Sequence, residues 1–282
     1  MKAYVSVDLE GLPGVPSPTM LNPWGSQFNR AASIVTKLVN VVVEELYKKG
    51  FNEVYVADSH GLMTNIDYLE LDSRVQLIQG YPRSISMMSL LDSSFNAVLF
   101  LGYHSAAGTM HGIFDHTFSG RTFAEVRVNG RRASEFILNS LYAGEHGVPV
   151  ILLAGDEYLN TEVEEYSPWT VFVALKKGVS RYSAIYPGLS SVIQRLREGV
   201  SEAVERLKKG VAKPLAWQTP YRVELTLRDS LVADVLEALP VFKRIDAYRV
   251  EFTASTAREL LGFIELVAHV GYGIDALKNS IK

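Results

Sequence analysis

The chain has 282 residues, 48% hydrophobic and 21% charged, with a formal net charge of -3, which suits a globular protein of one large or two ordinary domains. Basic residues are dispersed and the net charge is slightly negative, so composition argues against a nucleic-acid or membrane partner. Cysteine is absent, which excludes disulfides and thiolate metal sites and leaves only His, Asp and Glu to hold a metal.

The chain passes from Met1 directly into an alternating apolar stretch, residues 2–9, that reads as a buried strand. No signal-peptide pattern precedes it, and no apolar run looks long enough to span a bilayer, so a cytoplasmic protein is expected. Strand period two puts Asp8 and Glu10 on one side, just before the turn residues Gly11 and Gly14. Two carboxylates facing one spot are costly to bury without a cation, and no Lys or Arg lies nearby in sequence. A divalent metal is one remedy; a solvated strand edge or a turn cap is the plainer alternative, and this stretch alone does not decide.

Residues 17–29, rich in Pro, Asn and Gly, read as a loop over the strand end. Residues 31–49 carry Ile34, Val35, Leu38, Val41, Val42 and Leu46 at helical spacing and stop at Gly50, a usual helix end. A second strand, 53–57, runs into Asp58-Ser59-His60-Gly61, and a short third strand is expected at 75–78. A short helix at 85–91 precedes the apolar strand 97–101, which ends in Gly102-Tyr103-His104-Ser105. A Gly- and His-bearing loop, 106–120, leads to a strand or hairpin at 123–128 that turns at Asn129-Gly130. A helix at 134–145, with Ser134 as N-cap, leads to the buried strand 148–154. A helix at 158–166, a strand at 171–175 and a long amphipathic helix at 190–209 complete the alternation. The pattern predicts an α/β protein with a mainly parallel sheet covered on both faces.

Two prolines in 213–220 break the pattern, which sets a boundary between a catalytic α/β domain, 1–212, and a small C-terminal β-α-β-α unit, 213–282. That unit comprises strands at 223–227 and 246–253, a helix at 230–239 and a last helix opened by the capping box Thr256-Ala257-Arg258-Glu259. Several apolar positions on the last helix suit core packing or contact between subunits.

Asp8, Glu10, His60 and His104 all fall at the ends of strands expected to be parallel, and such ends gather along one edge of a sheet. The chain has only six histidines. His60, His104, His111 and His116 lie at strand ends or in the loop after one, whereas His146 reads as a surface residue and His269 as a core residue. A lone histidine there is more often structural than metal-bound. Several arriving beside two unpaired carboxylates reverse that expectation.

Ser6-x-Asp8-x-Glu10-Gly11, Asp58-Ser59-His60-Gly61, Gly102-Tyr103-His104 and Asp115-His116-Thr117, in this order and spacing, resemble the signature segments of the D-aminopeptidase family of binuclear zinc metallopeptidases. Glu135 in Glu135-Phe136-Ile137-Leu138-Asn139 matches that family's last ligand. The resemblance covers about the first three quarters of the chain. It implies two zinc ions held by Asp8, Glu10, His60, His104 and Glu135, with Asp8 as the bridge and His116 as the catalytic residue outside the metal shell. It also implies a ring-like homo-oligomer and a small peptide or amino acid amide as substrate, with an N-terminal D-amino acid. Three carboxylates against two divalent ions leave one positive charge, which a hydroxide between the ions would neutralise while serving as nucleophile. Neutral N and O donors also suit manganese or cobalt.

His111 is the runner-up for the catalytic role, and Asp58 and Asn139 are candidates to orient ligands from behind. Thr36-Lys37-Leu38 and the 106–118 loop depart from the family's pattern where a substrate would be sensed. Two other functions fit the same residues: another dinuclear hydrolase, an amidohydrolase or phosphoesterase, or a non-catalytic metal- or peptide-binding assembly protein.

Overall fold

The computed structural model describes residues 1–281. In chain order, strand β1 (Lys2–Val7) leads to helix α1 (Phe28–Lys48), then β2 (Glu53–Asp58), β3 (Gln76–Ile78) and β4 (Ala97–Tyr103). The hairpin β5 (Phe123–Val128) and β6 (Arg131–Arg132) precedes α2 (Glu135–Glu145), which leads to β7 (Val150–Asp156) and α3 (Asn160–Tyr166). A second hairpin, β8 (Val171–Ser180) and β9 (Ser183–Ile185), leads to α4 (Leu189–Lys208). The chain ends with β10 (Tyr221–Leu227), α5 (Ser230–Leu236), β11 (Lys243–Arg244), β12 (Arg249–Ala254) and α6 (Ala257–Ser280).

The first sheet has seven strands in the order β3-β2-β1-β4-β7-β8-β9, all parallel except β9. One face packs on α1 and α4: Ala3, Val5 and Val7 alternate inward against Leu38, Val42 and Leu196. The other face, carrying Tyr4, Val98 and Phe100, packs on α2 and, beyond it, on α6 and the second sheet. That second sheet, in the order β11-β12-β10-β5-β6, is antiparallel. It joins a hairpin from before residue 213 to strands from after it, so residues 213–281 share a sheet and a core with 123–132.

Some elements differ from what local sequence suggests. No helix forms over 85–91: Ile85, Ser86 and Leu90 have positive φ around a single 3-10 turn at Ser86–Met88. The turn presents the Met87 and Ser89 carbonyls to the buried Tyr4 hydroxyl at 3.1 and 2.8 Å, a tertiary demand that overrides helical propensity. The strand expected at 171–175 runs on to Ser180 and folds back as β9, since pairing with β9 satisfies backbone that Lys and Gly residues do not mark as strand. His269 is exposed rather than in the core, because the buried stripe of α6 runs through Leu260, Ile264, Val267, Gly271 and Ile274. By length and composition alone α6 is apolar enough to cross a membrane, contrary to the run-by-run reading; its buried stripe packs on α2, α5 and the second sheet.

Order in the first sheet positions the site. The chain adds β2 and β3 on one side of β1, then crosses to add β4 on the other, so a switch point lies at the carboxyl end of β1. Crevices at such points are where open α/β sheets bind ligands.

Candidate metal centre

Asp8 and Glu10 do not owe their convergence to strand period, because β1 ends at Val7. The Asp8 amide still donates to the Leu101 carbonyl at 2.8 Å, and the Gly11 amide then reaches the Gly102 carbonyl at 2.7 Å. A Cβ on Gly11 would lie 1.9 Å from the Tyr103 carbonyl oxygen, and one on Gly102 would lie 2.0 Å from that of Asp8. Gly102 also has φ +79, a left-handed conformation that costs side-chain-bearing residues dearly. The two glycines let the ends of β1 and β4 touch, which brings the Asp8 and Glu10 turn against His104.

His60 follows β2, and Asp58 organises the loop after it. The Asp58 carboxylate accepts from the amides of Asn65 at 2.5 Å and Ile66 at 2.8 Å and from the Asn65 side chain at 2.6 Å. The Asn65 side chain also donates to the His60 carbonyl at 2.8 Å. Asn139 instead donates to the Tyr103 hydroxyl at 3.0 Å, which in turn donates to Ser6 Oγ at 2.8 Å, a buried polar chain behind the centre. Glu135 opens α2 directly after its N-cap Ser134, where the helix dipole favours a negative charge. One of its oxygens accepts from the Phe118 amide at 2.7 Å.

The five predicted ligands converge. His60 Nδ1 lies 2.8 Å from Glu10 and 3.3 Å from Asp8, and His104 Nε2 lies 3.4 Å from Asp8 and 3.6 Å from Glu135. All three carboxylates and His104 are buried. Donor atoms of Asp8, Glu10 and His60 lie within 4.8 Å of one another, as do those of Asp8, His104 and Glu135. Asp8 belongs to both groups. A third group of the same span contains Glu10, His104 and His116.

Tautomers test whether these groups suit a cation. The far nitrogen of His60, Nε2, is 2.8 Å from the Leu21 carbonyl, and that of His104, Nδ1, is 3.1 Å from the Ser105 carbonyl. Each far nitrogen donates its hydrogen there, so the near nitrogen of the neutral ring points a bare lone pair at carboxylates. Lone pairs do not attract anions. His104 Nε2 is moreover a buried atom with no hydrogen-bond partner among the described residues. The donor set therefore fits a metal ion of N/O preference, and it is unsatisfied without one unless it takes up protons.

The protein alone takes up those protons. Burial first, then the Glu10 charge, raises the Asp8 carboxyl well above the usual carboxylate range. Burial opposes charging of His60, but the Glu10 charge and hydrogen bonds to Asp8 and Glu10 outweigh it and raise the ring well above its ordinary value. His104, with burial likewise outweighed by Glu135 and Asp8, is raised to about 10. Glu10 and Glu135 are lowered despite burial, by His60 and His104 respectively.

His116 stacks on His104, with ring centroids 4.1 Å apart and planes at 11°. Its Nδ1 lies 2.7 Å from the Phe114 carbonyl and its Nε2 3.7 Å from Glu135. Burial and the His104 charge lower its pKa. His111, exposed and with φ 63, belongs to none of the three groups. Thr36 is a structural latch: it donates to the Ala32 carbonyl at 2.8 Å and accepts from the Asp67 amide at 2.9 Å.

The D-aminopeptidase family model, Peptidase_M55, matches residues 1–266. The chain belongs to this family. A D-aminopeptidase of Bacillus subtilis (strain 168) is 37% identical to it over 183 residues, 64% of this chain and 65% of that protein, so the match spans just under two thirds of the relative's length. A solved structure, Zn-dependent D-aminopeptidase DppA from Bacillus subtilis, described as a self-compartmentalizing protease, superposes with a TM-score of 0.91 at 28% identity, covering 96% of this chain and 98% of that one.

Two buried groups around the centre, Lys176 and Asp115, have roles that the sequence does not assign. Lys176 on β8 donates to the Val15 carbonyl at 2.8 Å, bracing the turn beyond Glu10, and burial lowers its ammonium to about 7. Its sequence signal is a lysine directly after a five-residue apolar strand, a pattern that also fits a strand emerging into solvent. Asp115 accepts from the Gly108 amide at 2.7 Å and from Arg181 Nη1 at 2.5 Å, and Arg181 carries no local signal at all.

Proposed function

We propose that this family member is a zinc-dependent aminopeptidase that cleaves N-terminal amino acids, of D configuration, from short peptides or amides. The observation that carries the reading is the orientation of His60 and His104, each anchored by its far nitrogen to a backbone carbonyl and baring the near one to carboxylates. The names of the matched relatives support the choice of zinc and of D substrates. Asp8, Glu10 and His60 would hold one ion, and Asp8, His104 and Glu135 a second, with Asp8 common to both. Paired ions in such a site supply a polarised carbonyl oxygen and a hydroxide available at neutral pH.

The chain's own contribution beyond the ligands is His116. With Nδ1–H donated to the Phe114 carbonyl, the neutral ring has a bare Nε2 and no hydrogen there to offer an oxyanion. It therefore takes the proton carried by the attacking oxygen and delivers that proton to the departing amine, and its pKa, lowered first by burial, keeps it neutral and ready to accept near pH 7. Phosphoester cleavage is less well served, because Arg121, the nearest arginine in sequence, is exposed and faces Asp275 at 4.0 Å, and the Arg181 guanidinium is engaged by Asp115 at 2.5 Å.

The test uses protein purified without added metal. Elemental analysis should find zinc, and D-aminoacyl p-nitroanilides should be hydrolysed faster than the L forms, with activity lost on chelation and restored by zinc. His116→Ala should lower kcat by at least about 100-fold, the scale of a lost general acid, with zinc retained. Turnover of p-nitrophenyl phosphate in place of the anilides would favour a phosphoesterase, and full metal without turnover a binding protein. We also propose a homo-oligomer, supported by DppA's description as self-compartmentalizing. Light scattering that finds a monomer at micromolar concentration would refute it.

A further inference from the structure

We propose that Arg181, at the tip of the β8–β9 hairpin, is a positioning residue that sets the His116 imidazole by clamping the loop that carries it. The proposal rests on the reading of His116 given above. Loop 105–122 holds three non-glycine residues, His111, Phe114 and Phe118, at φ 63, 49 and 57. Left-handed backbone at such residues costs on the order of 1 kcal/mol or more each, so the loop does not take this shape on its own account. Contacts from outside must impose it.

On one side of His116 those contacts come from α2 and the segment before it. Thr117 Oγ1 donates to the Ala133 carbonyl at 3.2 Å, and the Phe118 amide donates to Glu135 at 2.7 Å. On the other side they come from Arg181. Its carbonyl accepts from the Phe114 amide at 2.9 Å, and its Nη1 donates to Asp115 at 2.5 Å. The second Asp115 oxygen accepts from the Gly108 amide, which closes the loop on itself. The hairpin also presses directly on the loop, since a Cβ on Gly178 would lie 2.1 Å from the His111 carbonyl oxygen.

The link to the imidazole is short. His116 Nδ1 is held by the carbonyl of Phe114, the residue whose amide is bound to Arg181. A Cβ on Gly120 would lie 3.2 Å from His116 Cβ and 3.6 Å from Arg181 Nη2, so the guanidinium and the base of His116 flank the same glycine. An exposed ion pair contributes little, but here the Asp115 side chain is only 11% exposed while that of Arg181 is 40% exposed. Loss of the guanidinium leaves a largely buried carboxylate without its cation, and the strained loop relaxes with His116 on it. The guanidinium is reachable from solvent, so a small cation can replace it.

The test compares Arg181→Ala, Arg181→Lys and Asp115→Asn in the zinc-loaded enzyme on a D-aminoacyl p-nitroanilide and on a dipeptide. Arg181→Ala should lower kcat about 10- to 100-fold on both substrates with KM within about threefold and zinc content unchanged. Millimolar guanidinium should restore at least a tenth of the lost rate to Arg181→Ala and none to His116→Ala. Asp115→Asn combined with Arg181→Ala should lose no more than either alone. A readout independent of turnover is the ¹⁵N signal of the His116 ring in metal-free protein, which should shift in Arg181→Ala and return with guanidinium. Unchanged kcat with an unshifted ring signal overturns the proposal. So does a loss confined to KM for the dipeptide, which would make Arg181 an anchor for the substrate carboxylate. If Arg181→Ala does not fold, Arg181→Lys, which keeps the charge, decides by the same two readouts. Wild-type protein that turns over no aminoacyl substrate would sink the functional reading, while the ring signal still judges the clamp.

Discussion

At the scale of single residues, the centre is a problem in charge balance. Three buried carboxylates within a few ångströms are tolerable only if positive charge enters, and the His60 and His104 rings supply it by keeping protons at neutral pH, while burial and the Glu10 charge raise the Asp8 carboxyl. A cation needs the lone pairs those protons occupy, so loading must displace them. The direction follows from the shifts: both rings are raised, so they are protonated at pH 7 without metal and bare with it. Zinc binding at pH 7 should therefore release about two protons per chain, one from each ring, and apparent affinity should rise about tenfold per pH unit for each proton still displaced. Calorimetry in buffers of different ionisation heat measures the number. Loading without proton release would show that these groups are already bare, and the balance drawn from burial would be wrong. The candidates Asp8, Glu10, His60 and His104 were legible in sequence, because with no cysteine only Asp, Glu and His serve and these four stand at strand ends, whereas Glu135, at the start of a helix, was reached only through the family resemblance. The Leu21 and Ser105 carbonyls that choose the tautomers were not legible, since a backbone oxygen has no residue type.

At the scale of elements, the sheet's parallel strands and their helices followed from hydrophobic spacing, and their order follows from where loops cross. What spacing misjudged is how the ends meet. Asp8 and Glu10 were expected to share a strand face, yet β1 stops at Val7 and the convergence is made by contact between Gly11 and Gly102. Gly102→Ala isolates that contact. Alanine at φ +79 costs about 1–2 kcal/mol on backbone grounds alone. Its Cβ would also sit 2.0 Å from the Asp8 carbonyl oxygen, so the ligand turn must move away from β4. The variant should unfold at lower urea concentration and bind zinc more weakly, whereas Gly130→Ala, also at positive φ but with open space around it, should lose only stability. Equal zinc affinity in the two variants would mean that the approach of the strand ends does not place Asp8. The β8–β9 hairpin escaped notice for a different reason: residues 176–180 are polar or glycine apart from Val179, so only the partner strand reveals them as β.

At the scale of the whole molecule, the proline-bearing segment 213–220 suggests a boundary in sequence, while the packing crosses it. β10 pairs with β5 through Val223 and Val128, and α6 lies against α2, the helix that begins with Glu135. Buried residues on both sides of position 213, among them Val126, Phe136, Val223 and Leu261, form one core. A chain ended at residue 212 would leave β5 and β6 as an isolated hairpin, marginal in water at best, and would bare the face of α2 that α6 covers. At about 25 cal/mol per Å² of apolar surface, exposing a helix face of several hundred Å² costs a large part of the roughly 5–15 kcal/mol that holds a domain folded. Residues 1–212 expressed alone should therefore be insoluble or unfold without a cooperative transition, and should bind zinc poorly because Glu135 loses the packing that holds its helix. A truncated chain that melts cooperatively and binds zinc as the full chain does would make the C-terminal strands an accessory. The present packing instead makes them the support on which the helix bearing Glu135 rests.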